Sequence, residues 1–518
     1  MKKIIFSLFL MIFIINSLQS QSIRFNRMYH HSLFGNTRFN QIVPYYSNYI
    51  TFGHYEYKPL TSNNEFIGLM STKVDSLGDL IIKIPYNDTV FNYMLSGWSS
   101  DVKTKDGGFI ISGSACENKS PYTYNGFLMK LDSNLTMQWR RHYNDTSATS
   151  GWTYRDYGFQ CLKLTPDNGF IAVGIRYKNS GMSCGLAVKY DSLGNQQWLQ
   201  TYNLNYYWSE INNVILVQDG YVFGGGGGIS ADNNTVDDIV IKTDMLGNEI
   251  WQKNLGGSKG DGWITLQNYT EGNILAFATK CDSAYTSTDG SYMPFLNEQF
   301  YKLSAATGDT IWSLSYGPVK YANGSFAFRT FPDGSALASG TYDYSRYPWL
   351  LHLTAGGNVD WYREYRITNP NHENYFYANP YDLQQTADSG FVICGDIANI
   401  DTIYGGGCGW ILKTDKHGCY TANCDTATDI QTTTFRILSS LELYPNPATT
   451  EVTLSYFPDM EKPVLEIYNS MGSLVKEIPL PKARDRYTFS VAQLAKGYYK
   501  VILKDNGYVR GQAGLVIK

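Results

Sequence analysis

Glu210, Glu271, Glu298, Glu364 and Glu373 are the acids that could serve glycoside hydrolysis, which needs one carboxylic acid and one carboxylate a set distance apart. Spacing along the chain does not pair any two of them, and a β-protein of this composition carries surface acids in any case. Asp232, Asp237 and Asp238 sit in a polar stretch where oxygen ligands could gather around calcium. Their spacing is irregular and no twelve-residue calcium loop frames them, so a solvated loop is the plainer reading, and no metal site is expected. The run Gly224 to Gly228 lacks the Lys-Ser/Thr and the helix of a phosphate cradle. The seven His residues have no nucleophile-elbow motif beside them. More suggestive are aromatic loops: Tyr206-Tyr207-Trp208, and Tyr375 with Tyr377 in an Asn-rich stretch. Tyr and Trp beside Asn suit stacking on sugar faces or packing on a protein partner. Filling gaps between structural units would use the same residues.

What must position these side chains is a pattern that returns about every 50–60 residues. A Gly-led strand comes first, then a strand ending in a turn, then a strand with Trp. One copy reads Asn168-Gly169-Phe170-Ile171-Ala172-Val173-Gly174, then Leu186 to Tyr190, Asp191-Ser192-Leu193-Gly194 and Trp198. Gly-led strands begin near Ser47, Gly107, Asn168, Asp219, Glu271, Asp333 and Ser389, and Trp139, Trp198, Trp251, Trp312 and Trp361 mark five of the Trp strands. In the third copy, Gln160–Leu164, Phe170–Gly174, Leu186–Tyr190 and Gln197–Tyr202 all carry the alternation of strands. Asp167-Asn168-Gly169 is a hairpin turn. Four strands in each of seven units predict a seven-bladed β-propeller. The last unit lacks its Trp strand, and Ile23 to Tyr29 has the pattern to supply it, which would hide two sheet edges. The Asp-x-x-Gly turn is similar to the Asp box of sialidase-type propellers. Here Asp191 and Trp198 stand seven residues apart, longer than that motif, and the turn reads as structural.

The chain has 518 residues, 17% of them charged, with 42 Tyr, 48 Gly and a net charge of −4. Nothing basic enough for nucleic acid is present. Met1-Lys2-Lys3, the apolar run Ile4 to Ile15 and the small polar residues to Gln21 make a signal peptide, with no transmembrane segment left after its removal. Eight Cys in an oxidising compartment admit disulfides. Cys419 with Cys424 is the first expectation. Cys394 with Cys408, and Cys161 with Cys184, could bridge neighbouring strands, or all four could be buried thiols.

After a Thr- and Asp-rich linker the chain changes character. Leu443-Tyr444-Pro445-Asn446-Pro447, Tyr468-Asn469-Ser470-Met471-Gly472, Lys496-Gly497-Tyr498-Tyr499 and Val516-Ile517-Lys518 punctuate six or seven short strands, the pattern of an Ig-like β-sandwich. These motifs resemble the type A C-terminal sorting domain of proteins exported by the type IX secretion system of Bacteroidota. The resemblance implies export through the periplasm and across the outer membrane, contact with that machinery through residues 438–518, and release or attachment at the cell surface.

The expected organisation is all-β: signal peptide 1–21, seven-bladed propeller 22–424, linker 425–437 and sorting β-sandwich 438–518. The expected function is a secreted or cell-surface, non-catalytic module binding glycan or protein, without a cofactor. The alternative is a secreted hydrolase of glycan or peptide with its site at the propeller funnel. An acid cluster at the funnel mouth would favour the enzyme.

Overall fold

The computed structural model describes residues 23–29, 36–57, 66–95, 100, 103–118, 124–143, 152–178, 183–202, 208–228, 236–256, 261, 263–286, 292–321, 324–342, 345, 347–365, 377–398, 407–420, 424, 442–455, 462–470, 472–482, 486–505 and 508–518. The expected signal peptide (1–21) and linker (425–437) lie outside these residues. The chain divides into two compact units, one of residues 1–315 and 321–426, the other of residues 316–320 and 427–518.

The first unit is all-β. Six four-stranded antiparallel sheets follow one another in chain order, beginning at Thr37–Tyr45, Phe91–Leu95, Trp152–Leu164, Trp208–Val217, Thr265–Asn268 and Gly324–Thr330. Within each sheet the four strands are hydrogen-bonded in sequence order. The third sheet holds Trp152–Leu164, Phe170–Lys178, Ser183–Tyr190 and Gln196–Tyr202, as the alternation predicts. A seventh sheet is completed from far away. Phe25–Tyr29 pairs antiparallel with Cys408–Thr414, which is followed inward by Phe391–Ala398 and Tyr377–Gln385.

The recurring residues are explained by contacts between sheets. Trp139, Trp198, Trp251, Trp312 and Trp361 each lie against a turn glycine of the next sheet: Gly194, Gly247, Gly308, Gly357 and Gly418. In the seventh sheet Phe25 takes the place of Trp and lies against Gly78 of the first. Gly194 has φ +78, where a side chain is strained, and a Cβ there would come within 2.9 Å of the Trp139 ring. Tyrosine hydroxyls bond the same turns. Tyr86 donates to the Leu135 carbonyl (2.6 Å), Tyr143 to Gly194 (2.6 Å), Tyr202 to Gly247 (2.7 Å) and Tyr365 to Gly418 (2.8 Å). Apolar clusters fill the spaces between sheets, such as Val43, Phe52 and Leu69 of the first with Phe109, Phe127 and Met129 of the second.

The second unit has two antiparallel sheets, one of Glu442–Tyr444, Glu451–Ser455 and Arg486–Ser490, the other ordered Leu474–Pro479, Pro463–Tyr468, Gly497–Asp505, Tyr508–Ile517. Val452, Leu454, Leu465, Ile467, Val501, Leu503 and Leu515 form the core between them.

Cys419 and Cys424 form the expected disulfide. Cys394, Cys408, Cys161 and Cys184 are buried and form neither of the two possible bridges, the second of the two readings, and register explains why. Cys394 stands opposite Ile411 and Cys408 opposite Ile397, so the two thiols face different partners along the ladder. Cys161 and Cys184 belong to the first and third strands of their sheet, with Phe170–Lys178 between them.

Candidate functional site

The tight-turn ends of the sheets are consumed by their own architecture. Asp191 Oδ1 accepts the backbone N–H of Leu193 (2.9 Å) and Asn195 (2.8 Å), and Asp75, Asp132, Asp244 and Asp415 repeat this turn. The lysine before four of these five turns braces the neighbouring hairpin. Lys130 reaches Asp106, Lys189 reaches Asp167, Lys242 reaches Asp219 and Lys413 reaches Asp388, all at 2.8–2.9 Å. The bond from Lys130 holds the Asp106 carboxyl down to about 2. These charges are spoken for, so this end offers little to a ligand.

The opposite end is where each first strand begins. Trp208 opens the first strand of the fourth sheet, opposite Gly228, and Tyr377 opens that of the seventh, opposite Ala398. Both are half-buried. Trp263, just before the first strand of the fifth sheet, is exposed. The fourth and seventh sheets are not neighbours in chain order, so Trp208 and Tyr377 belong to separate parts of this end. Tyr206, Tyr207, Tyr375, Asp232 and Glu373 lie outside the described residues.

Of the expected acids, Glu271 is a turn residue reaching towards Lys302 at 3.7 Å, and Glu364 sits in an outer strand opposite Trp349. Glu210 is different. It is buried on the first strand of the fourth sheet, and the row across that sheet runs Glu210, Gly226, Asp238. Facing residues in such a row alternate in step, so both acids project from one face of the sheet, two strand spacings or about 10 Å apart at Cα. No side chain stands between them. A Cβ added to Gly226 would meet nothing closer than 3.3 Å. Burial pushes the Glu210 carboxyl up to about 8. Asp238 is raised well above the usual range by burial, then by the nearby charges of Asp261 and Asp237, and its Oδ1 makes no hydrogen bond. Asp261 accepts the Cys281 N–H at 2.9 Å. Glu298, on the fifth sheet, is likewise buried and raised by desolvation, with neither carboxyl oxygen hydrogen-bonded. Among the described residues no three His, Cys, Asp or Glu are arranged to hold a metal.

The first strands are tied together by side chains that sequence reading missed. Asp382 Oδ2 accepts the Ile42 N–H (3.0 Å), Ser100 Oγ that of Leu162 (3.1 Å) and Asn213 Oδ1 that of Leu266 (3.0 Å). Arg329 of the sixth sheet pairs with Asp382 of the seventh at 3.0 Å and also reaches the Ser100 carbonyl of the second at 3.4 Å. Asp382 is buried and Arg329 half-buried, with 11% of its side chain exposed. These bonds join sheets that lie far apart in sequence.

Residues 442–518 match the family model for the secretion system C-terminal sorting domain. The chain thus carries a type IX secretion sorting domain, which implies interaction with that machinery, export, and a secreted or cell-surface location. Among the described residues no helix is long and apolar enough to cross a membrane. No curated protein matches the sequence. Solved structures with some likeness include a GH32 β-fructofuranosidase of Bombyx mori (11% identity, 75% of this chain, 90% of that one, TM-score 0.30). An α-L-arabinofuranosidase of Fusarium graminearum follows at 10% identity, 63% and 98% coverage and TM-score 0.39. A Trypanosoma rangeli sialidase has 8% identity, 94% and 88% coverage and TM-score 0.41. Likeness at these levels assigns no activity or ligand to this chain.

Proposed function

We propose that residues 22–424 form a closed seven-bladed β-propeller, followed by a linker (425–437) and an Ig-like sorting sandwich (438–518). The propeller is a secreted or surface-displayed module that binds a glycan or a protein, made by a member of the Bacteroidota. Closure is supported by the pairing of Phe25–Tyr29 with Cys408–Thr414 and by the contact of Phe25 with Gly78. Binding is supported by one observation above others: turn ends are occupied by Asp–Lys braces, while Trp208, Trp263 and Tyr377 stand at or just before strand starts of three different sheets. Half-buried and exposed aromatics on rigid strands are what sugar faces and protein hot spots use.

A second reading, a hydrolase, is favoured by the Glu210–Gly226–Asp238 row. A carboxyl raised towards neutrality is poised to give or take a proton. One experiment separates the two. The secreted protein is screened on a glycan array and on chromogenic glycosides and peptides, together with Glu210→Gln and Asp238→Asn. Saturable binding without turnover, unchanged in both variants, is expected. Turnover lost in either variant overturns the binding reading in favour of the enzyme.

A further inference from the structure

The second unit carries a surface that its own packing does not explain. Tyr444, Pro445, Asn446 and Pro447 are all exposed, and buried Ala448 follows them. Across the unit, Asn446 Nδ2 donates to the Gly514 carbonyl (2.7 Å) and its Oδ1 accepts the Val516 N–H (3.0 Å). Ala448 continues the same contact: its N–H donates to Val516, and its carbonyl accepts the Lys518 N–H at 2.9 Å. Tyr498 stands opposite Val516, and its ring covers Gly514, where a Cβ would come within 2.7 Å of the phenol oxygen. Both side chains face away from the core, which takes Tyr499, Leu515 and Ile517 instead. The Tyr444–Ala448 stretch and the last two strands of the chain therefore meet at one exposed corner.

Its chemistry is distinctive. Tyr498 is 59% exposed and Val516 is 36% exposed. Lys496, Lys500 and Lys518 are exposed around them and make no ion pair among the described residues. On the same sheet Lys504 does pair, with Glu466 at 2.9 Å. An aromatic ring can shield a strand glycine, but that needs neither a phenol hydroxyl nor unpaired lysines. A fixed aromatic and apolar anchor inside a cationic rim is the composition of a protein interface.

We propose that this corner, centred on Asn446, Tyr498 and Val516, is the surface by which the type IX apparatus grips the tail. The partner is a protein of that apparatus presenting an apolar slot for Tyr498 inside an acidic rim. Opposite charge across the contact speeds capture and fixes its orientation.

The test uses the full chain in cells with a type IX system, reading the exported against the periplasmic fraction. Lys496→Glu with Lys500→Glu touches no core residue and should lower export at least tenfold, with folded, protease-resistant protein held in the periplasm. Tyr498→Ala should do the same, and Tyr498→Phe, which still covers Gly514, should separate the ring from its hydroxyl. A matched reversal elsewhere on the unit, Lys482→Glu with Arg486→Glu, should leave export unchanged. Wild-type export of the corner variants overturns the proposal, as does an equal loss in the matched reversal. Deleting residues 442–518 checks the sorting function separately, because it must abolish export whether or not the corner is the contact.

Discussion

The hydroxyl of Tyr29 donates to the Gly78 carbonyl at 2.6 Å, linking the completing strand of the seventh sheet to the first. It repeats the contact that Tyr143 makes with Gly194 and Tyr202 with Gly247. The junction between last and first sheets is thus built like those between consecutive ones. Tyr29→Phe leaves a buried carbonyl without its donor and should cost about 1–3 kcal/mol. Phe25→Ala empties the site above Gly78 and should cost about 3–5 kcal/mol. Denaturant unfolding followed by tryptophan fluorescence checks both. An unchanged midpoint in both would mean that this junction bears no stability.

The Arg329–Asp382 pair is a second load shared between sheets. Asp382→Ala removes the carboxylate from the half-buried Arg329 guanidinium and the acceptor from the Ile42 N–H, so a loss of about 3 kcal/mol is expected. Arg329→Met in that background should recover part of the loss, because the charge left without its carboxylate goes with it. A double-mutant cycle on unfolding midpoints measures the coupling.

Glu210 gives stability a pH dependence whose sign can be worked out. Its folded value of about 8 lies above the 4.5 of a free glutamate. Between these values the folded chain keeps a proton that the unfolded chain has released, so stability falls as pH rises through that window. The contribution is whole below about 4.5 and lost above about 8. Glu210→Gln should flatten the profile, and the wild-type melting temperature should drop more than the variant's between pH 5 and pH 8.5. A parallel decline in both would assign the effect to other groups.

The cysteines make a countable prediction. Protein unfolded without reductant should show six reactive thiols, with Cys419 and Cys424 silent. Reduction of that short loop should cost about 2 kcal/mol. Eight reactive thiols, or four, would contradict the pairing.

Much of this architecture was legible in the sequence because it repeats. The strand alternation around Phe170 and Leu186, the Asp167-Asn168-Gly169 turn and, within the predicted stretch Ile23–Tyr29, the pairing of Phe25–Tyr29 with the last sheet all follow from the repeated pattern. The Cys419–Cys424 bridge was legible too, being short and local. What escaped depends on which residue of one repeat faces which residue of another. Spacing suggested Cys394 with Cys408, but only the ladder register shows them opposite Ile411 and Ile397. Glu210 and Asp238 are 28 residues apart and share a row only because Gly226 pairs with both. Arg329 and Asp382 had no local signal at all. The recurring Lys of each turn was visible, yet its partner lies in the preceding hairpin, where sequence reading saw only turn chemistry.

The pairing of Phe25–Tyr29 with Cys408–Thr414 also sets an order in time. A chain emerging in sequence presents the completing strand at the start of the first unit and its partner near that unit's end. Until then Phe25–Tyr29 has no ladder, and Gly78 lacks both the ring and the hydroxyl that cover it. A product truncated before residue 408 would therefore leave open edges at both ends of the series, which marks it for proteases and aggregation.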